Sequence, residues 1–75
     1  MTEAVCSASL IVVNGEDRSV TPGSSVGDLL RALELDPRMI VVEHNRVILR
    51  DRSAYDSLSL LPGDTIEIVH FVGGG

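Results

Sequence analysis

Val26, Leu29, Leu30 and Leu33 recur at i, i+3, i+4 and i+7, the apolar face of one amphipathic helix. No other feature constrains the fold as much, because the chain offers that face no second helix to pack on. The helical pattern runs for about ten residues before Asp36-Pro37 stops it, and a helix that short does not persist in water alone. Ser25 is placed to cap its start, with Asp28 three residues on to close a capping box. The flanking segments read as strands, so the helix must lie on a sheet. Burying its four apolar side chains would contribute about 1.5–3 kcal/mol each.

The strands follow from short runs and turn chemistry. Residues 10–13, Leu-Ile-Val-Val, end in Asn14-Gly15, the strongest short-range hairpin signal. A second strand at 18–20 returns to the turn Thr21-Pro22-Gly23. After the helix, 39–43 reads as a third strand, His44-Asn45-Arg46 as a turn and 47–49 as a short fourth strand. Residues 50–57 are polar and irregular, and Leu58, Leu60 and Leu61 are expected to plug the edge of the core. Pro62-Gly63-Asp64 is a turn, and the last strand runs from Thr65 to Val72. The order β-β-α-β-β-β lets the last strand return beside the first. One mixed sheet of four to five strands, with one main helix packed on one face, is an α+β architecture of the β-grasp, or ubiquitin-like, kind. Residues 1–75 are read as a single such domain, with 1–9 a loose lead-in and 72–75 a flexible tail.

Composition narrows the function classes. At 75 residues and 44% hydrophobic content, one small domain is expected. With Tyr55 and Phe71 as the sole aromatics, the core should be aliphatic and too small to enclose a substrate, which argues against an enzyme with its own pocket. A formal charge of −5 repels a phosphate backbone, so nucleic acid is not an expected partner. All six basic residues are arginine, which removes lysine Schiff-base chemistry and any side-chain amine for conjugation. No apolar run suits a membrane span or a secretory signal, and the single cysteine, Cys6, has no internal disulfide partner; a cytoplasmic protein is expected.

The chemistry concentrates at the end of the sequence. Gly73-Gly74-Gly75 follow the last strand directly, and glycines without a Cβ make a slender, pliant segment. A terminal carboxylate on such a tail can enter a narrow active site on a partner, where any side chain would clash. Fully extended, residues 72–75 reach roughly 13 Å beyond the sheet. The Asn14-Gly15 hairpin, the helix start Ser25-Val-Gly-Asp-Leu-Leu30 and the stretch from Pro62 to Gly75 together resemble the bacterial sulfur carrier proteins of thiamine biosynthesis. The similarity covers residues 10–75, and its specific part is the last strand joined to terminal glycines. It implies a carrier, not an enzyme. The Gly75 carboxylate would be adenylated by a ubiquitin-activator-like adenylyltransferase using ATP and magnesium. A sulfur donor such as a cysteine desulfurase would then turn it into a thiocarboxylate for thiazole synthase. The family's two functional glycines map onto Gly74 and Gly75, with Gly73 lengthening the reach. This chain would itself bind no cofactor. The resemblance leaves two further readings open, the molybdopterin synthase small subunit, which shares the ending, and a ubiquitin-like protein modifier.

The remaining reactive residues are weighed against the tail. Cys6 has no basic neighbour to lower its pKa, and small-hydrophobe status suits it better than sulfur transfer. Strand alternation puts Ile66, Ile68 and His70 on one face and Glu67, Val69 and Phe71 on the other. With the isoleucines toward the helix, Val69 and Phe71 face solvent beside the tail, and with Val72 they are the expected partner-docking residues. His70 is expected to pack at the end of the core. Arg46, Arg50 and Arg52 form a basic cluster suited to a solvated face or to steering a partner. Two distant histidines and one cysteine give no metal site.

Overall fold

Ser25 starts the helix as its pattern requires. In the computed structural model, which describes residues 8–71, the Ser25 hydroxyl accepts the Asp28 N–H and an Asp28 carboxylate oxygen accepts the Ser25 N–H, both at 3.0 Å. Helix α1 (Val26–Ala32) buries Val26, Leu29 and Leu30 almost completely, and Leu33 at its C-cap is partly buried. The helix ends earlier than Asp36-Pro37 would make it. Glu34 adopts a left-handed φ of 60°, its N–H bonds to the Arg31 carbonyl, and the Leu35 N–H bonds to the Leu30 carbonyl. That is a Schellman closure with glutamate where glycine is usual, so the sequence carries no stop signal there. Asp36-Pro37 instead opens a 3-10 turn, Pro37–Met39.

Five strands form one sheet in the order β2-β1-β5-β3-β4. Strands β1 (Ser9–Val13) and β2 (Glu16–Val20) make the expected hairpin. The second strand begins two residues sooner than its composition indicates, because a two-residue turn pairs Val13 directly with Glu16. Strand β5 (Thr65–His70) lies parallel to β1 and antiparallel to β3 (Ile40–His44), and β4 (Val47–Ile48) closes the other edge. Asn45 and Arg46 turn β3 into β4 with both residues at positive φ, 50° and 71°.

The core between sheet and helix holds Ile11, Ile40, Val42, Ile66 and Ile68 from the strands, the helix face, and Leu60. It is not purely aliphatic. Tyr55 is buried, carried by a second 3-10 turn, Arg52–Ser57, in a stretch whose composition reads as irregular; Asp51 caps that turn by accepting the Ser53 N–H at 3.0 Å. Leu60 and, in part, Leu58 plug the core edge, whereas Leu61 is 61% exposed because its N–H joins the Pro62-Gly63 turn. Gly27 lets the second 3-10 turn approach, since a Cβ there would collide with the Asp56 carboxylate.

Candidate functional site

The described chain ends where the proposed tail begins. Val72 and Gly73–Gly75 lie outside the described residues, as does Cys6, so the site is built from what leads up to it. β5 is the central strand, held by β1 on one side and β3 on the other. Its alternation is as expected: Ile66 and Ile68 are buried toward the helix, and Val69 and Phe71 are 56% and 51% exposed on the opposite face. His70 shares the parity of the isoleucines but not their burial. The helix has ended before reaching it, so it stands exposed at the rim of a groove floored by Val13, Leu33, Leu35 and Ile68.

The register supplies neighbours that spacing alone does not reveal. Val41 lies directly opposite Val69, and the Phe71 N–H bonds to the Met39 carbonyl at 3.0 Å. Met39, Val41, Val69 and Phe71 therefore form one apolar patch on the helix-free face, at the root of the tail. Met39 is half exposed despite standing beside the sheet. Next to this patch Glu43 and Glu67 face each other across β3 and β5. Like charges directly opposite on a sheet are unfavourable without a cation. Runs 39–43 and 65–71 could each have yielded these residues; the missing signal was which pairs with which.

A second polar cluster lies at the other end of β5. The Asp64 carboxylate is buried and accepts from the Leu61 N–H at 2.9 Å and from Asn45 Nδ2 at 3.2 Å, with His44 Nε2 at 2.8 Å. Burial pushes its pKa up, but the bonds from Leu61, His44 and Asn45 outweigh this and hold it below the ordinary 3.8. Each carboxylate oxygen is engaged within the protein, so the cluster ties the 61–64 turn to the β3–β4 turn. The sequence shows both members but not their meeting. Arg46, Arg50 and Arg52 are all exposed; Arg52 Nε donates to the Pro37 carbonyl at 2.7 Å, and the three make no ion pair among the described residues.

Among the described residues no group of three or more His, Cys, Asp or Glu side chains is placed to hold a metal ion. The grooves on the described surface are open, the His70 groove having a volume of about 310 Å³. No helix among the described residues is long and apolar enough to cross a membrane.

The sequence model of the ThiS family matches residues 11–75, a span that includes the last strand and all three terminal glycines. The chain belongs to the ThiS family. It is 36% identical over 67 residues to the sulfur carrier protein ThiS of Bacillus subtilis, covering 88% of this chain and 100% of that protein. It is also 40% identical over 65 residues to a thiazole synthase of Paramagnetospirillum magneticum, covering 87% of this chain but 20% of that protein. The chain thus spans about a fifth of the length of the thiazole synthases it matches. Among solved structures, the crystal structure of the thiamine biosynthesis protein ThiS from Geobacter metallireducens matches with a TM-score of 0.75 and 33% identity, over 88% of this chain and 99% of that one. The five-stranded mixed sheet with one main helix is accordingly the β-grasp fold.

Proposed function

We propose that this chain is a sulfur carrier of thiamine biosynthesis and that its reactive group is the carboxylate of Gly75. The observation that carries the reading is the family match through residue 75, which takes in the glycine tail together with the fold. The relative named as a sulfur carrier and the solved structure named for thiamine biosynthesis together support this pathway over the molybdopterin and protein-modifier readings.

A carboxylate is a poor electrophile. Attack of a carboxylate oxygen on the α-phosphorus of ATP expels pyrophosphate and leaves an acyl adenylate, whose AMP is a good leaving group. A sulfur nucleophile at the hydrosulfide level then displaces AMP, forming the C–S bond as the C–O bond breaks. The ATP site and its magnesium belong to the activating enzyme, and the globular domain serves as the handle. Docking on that enzyme uses Val69, Phe71 and Val72, joined by Met39 and Val41. A basic group on the enzyme opposite Glu43 and Glu67 would relieve their repulsion and add specificity. A cysteine desulfurase fits the role of sulfur donor, with a thiol reductant supplying the two electrons that bring its persulfide sulfur to the hydrosulfide level. Thiazole synthase fits that of consumer, since a segment like this chain occurs within proteins of that name.

Reconstitution tests the reading. With a ubiquitin-activator-like adenylyltransferase, ATP and magnesium, pyrophosphate release should depend on this chain. Deleting Gly75 should abolish it, because the carboxylate would stop one residue short of the α-phosphorus. Release that continues after the deletion would exclude Gly75 as the activated group.

A further inference from the structure

β1 leaves β5 at Val13, because Asn14 and Gly15 turn the chain back into β2. The last main-chain rung between them runs from the Asn14 N–H to the Ile66 carbonyl, 2.8 Å. In a continuing parallel ladder the next two rungs would join the Ile68 N–H to the carbonyl of residue 14, and the N–H of residue 16 to the Ile68 carbonyl. The turn removes both partners. The Asn14 side chain replaces them: Oδ1 accepts the Ile68 N–H at 2.7 Å, and Nδ2 donates to the Ile68 carbonyl at 3.4 Å. Ile68 is buried, so its amide needs a protein partner.

The turn itself does not demand asparagine. Glycine and aspartate also adopt the left-handed conformation that residue 14 holds at φ 51°. The short primary amide presents an acceptor and a donor to the N–H and C=O of one residue; aspartate lacks the donor, and glycine lacks both. The Phe71 N–H bonds toward β3, so the main chain of Ile68 and His70 faces the other flank. Ile68 thus makes the last main-chain bonds of β5 on its β1 flank among the described residues. Beyond it the register of Val69 and Phe71 depends on β3 alone.

We propose that Asn14 is a positioning residue for the glycine tail. By extending the β1–β5 ladder one step, its amide fixes the point and direction at which the chain leaves the sheet. This inference rests on the carrier reading above. The structure contains its own control at the far end of the same strand. Asn45, also left-handed at φ 50°, accepts the Thr65 N–H on Oδ1 at 2.8 Å, at the end of β5 away from the tail.

The test is steady-state pyrophosphate release by the activating enzyme, using the full chain as substrate. Asn14→Gly keeps the turn and removes both bonds. Its KM should rise about five-fold with kcat unchanged, since one neutral hydrogen bond corresponds to roughly a two- to twelve-fold change in an equilibrium. Asn14→Asp, which keeps the acceptor, should fall between this variant and wild type. Amide exchange at Ile68 should quicken in Asn14→Gly while Ile66 stays protected. Asn45→Gly should lower the thermal midpoint but leave KM unchanged. If Asn14→Gly has the wild-type KM, or Asn45→Gly raises KM equally, Asn14 does not position the tail. If wild type itself releases no pyrophosphate, the carrier reading falls and takes this inference with it.

Discussion

Replacing Asp64 by alanine should destabilise the domain by about 2–3 kcal/mol at neutral pH, and the structure shows why. The carboxylate receives the Leu61 N–H, His44 Nε2 and Asn45 Nδ2 within 3.2 Å. Hydrogen bonds to a charged acceptor contribute about 1.5–3 kcal/mol each, but they are not additive, and the exposed Leu61 amide can turn to water. A net loss near the value of one such bond is therefore expected. For 75 residues the whole stability is on the order of 4–11 kcal/mol, so the thermal midpoint should fall by roughly 8–24 °C. The pH dependence carries a second signature. Asp64 has a folded pKa below its ordinary 3.8, so its contribution is present above that value and lost as pH falls through the depressed one. Asp28, Asp36 and Asp51 are also held low, by hydrogen bonds from Ser25, Arg38 and Ser53 respectively, and add their own acid sensitivity. The comparison of variant with wild type isolates Asp64. Urea denaturation followed by far-ultraviolet circular dichroism, from pH 7 down to about pH 3, should show the two stability curves converging at the acid end. A midpoint equal to wild type at pH 7, or a constant gap at every pH, would refute this account of the turn.

Leu29→Ala should cost about 2–5 kcal/mol in the same denaturation assay, and Leu33→Ala clearly less, because Leu29 is fully buried and Leu33 only partly. Equal losses would mean that the helix is rotated from the face described. Glu34→Gly should raise stability by about 1 kcal/mol, since residue 34 holds a left-handed φ that a Cβ disfavours; a lower thermal midpoint would contradict that reading. Phe71→Ala should weaken binding to the activating enzyme by about 1 kcal/mol or more at an unchanged thermal midpoint. Unchanged affinity in a titration would remove Phe71 from the docking face.

What the sequence revealed follows from the range of each interaction. The Ser25–Asp28 cap, the Asn14-Gly15 turn and the inward parity of Ile66 and Ile68 are local, and each was legible from a few neighbouring residues. The end of the helix was not, because glutamate at position 34 adopts a conformation usually signalled by glycine. Leu61 and His70 have the hydropathy or parity of core residues, but a turn exposes one and the early end of the helix exposes the other. Asn14 and Asn45 read as turn formers, and their bonds to β5 span 54 and 20 residues. Met39 and Val41 join the docking patch only through the β3–β5 register. Pairings of that length depend on the assembled sheet, and a single sequence does not display them.

The central claim is that the Gly75 carboxylate carries the sulfur, and the mass of the protein tests it most directly. After incubation with the activating enzyme, ATP, magnesium and a sulfur source, the intact chain should gain the mass of one oxygen-to-sulfur exchange. Fragmentation should place that gain at Gly75. Gly74→Val should block it while leaving the thermal transition unchanged, because the clash would fall in the partner's channel. Cys6→Ser should leave it intact. Sulfur found instead as a persulfide on Cys6, surviving the deletion of Gly75, would contradict the account.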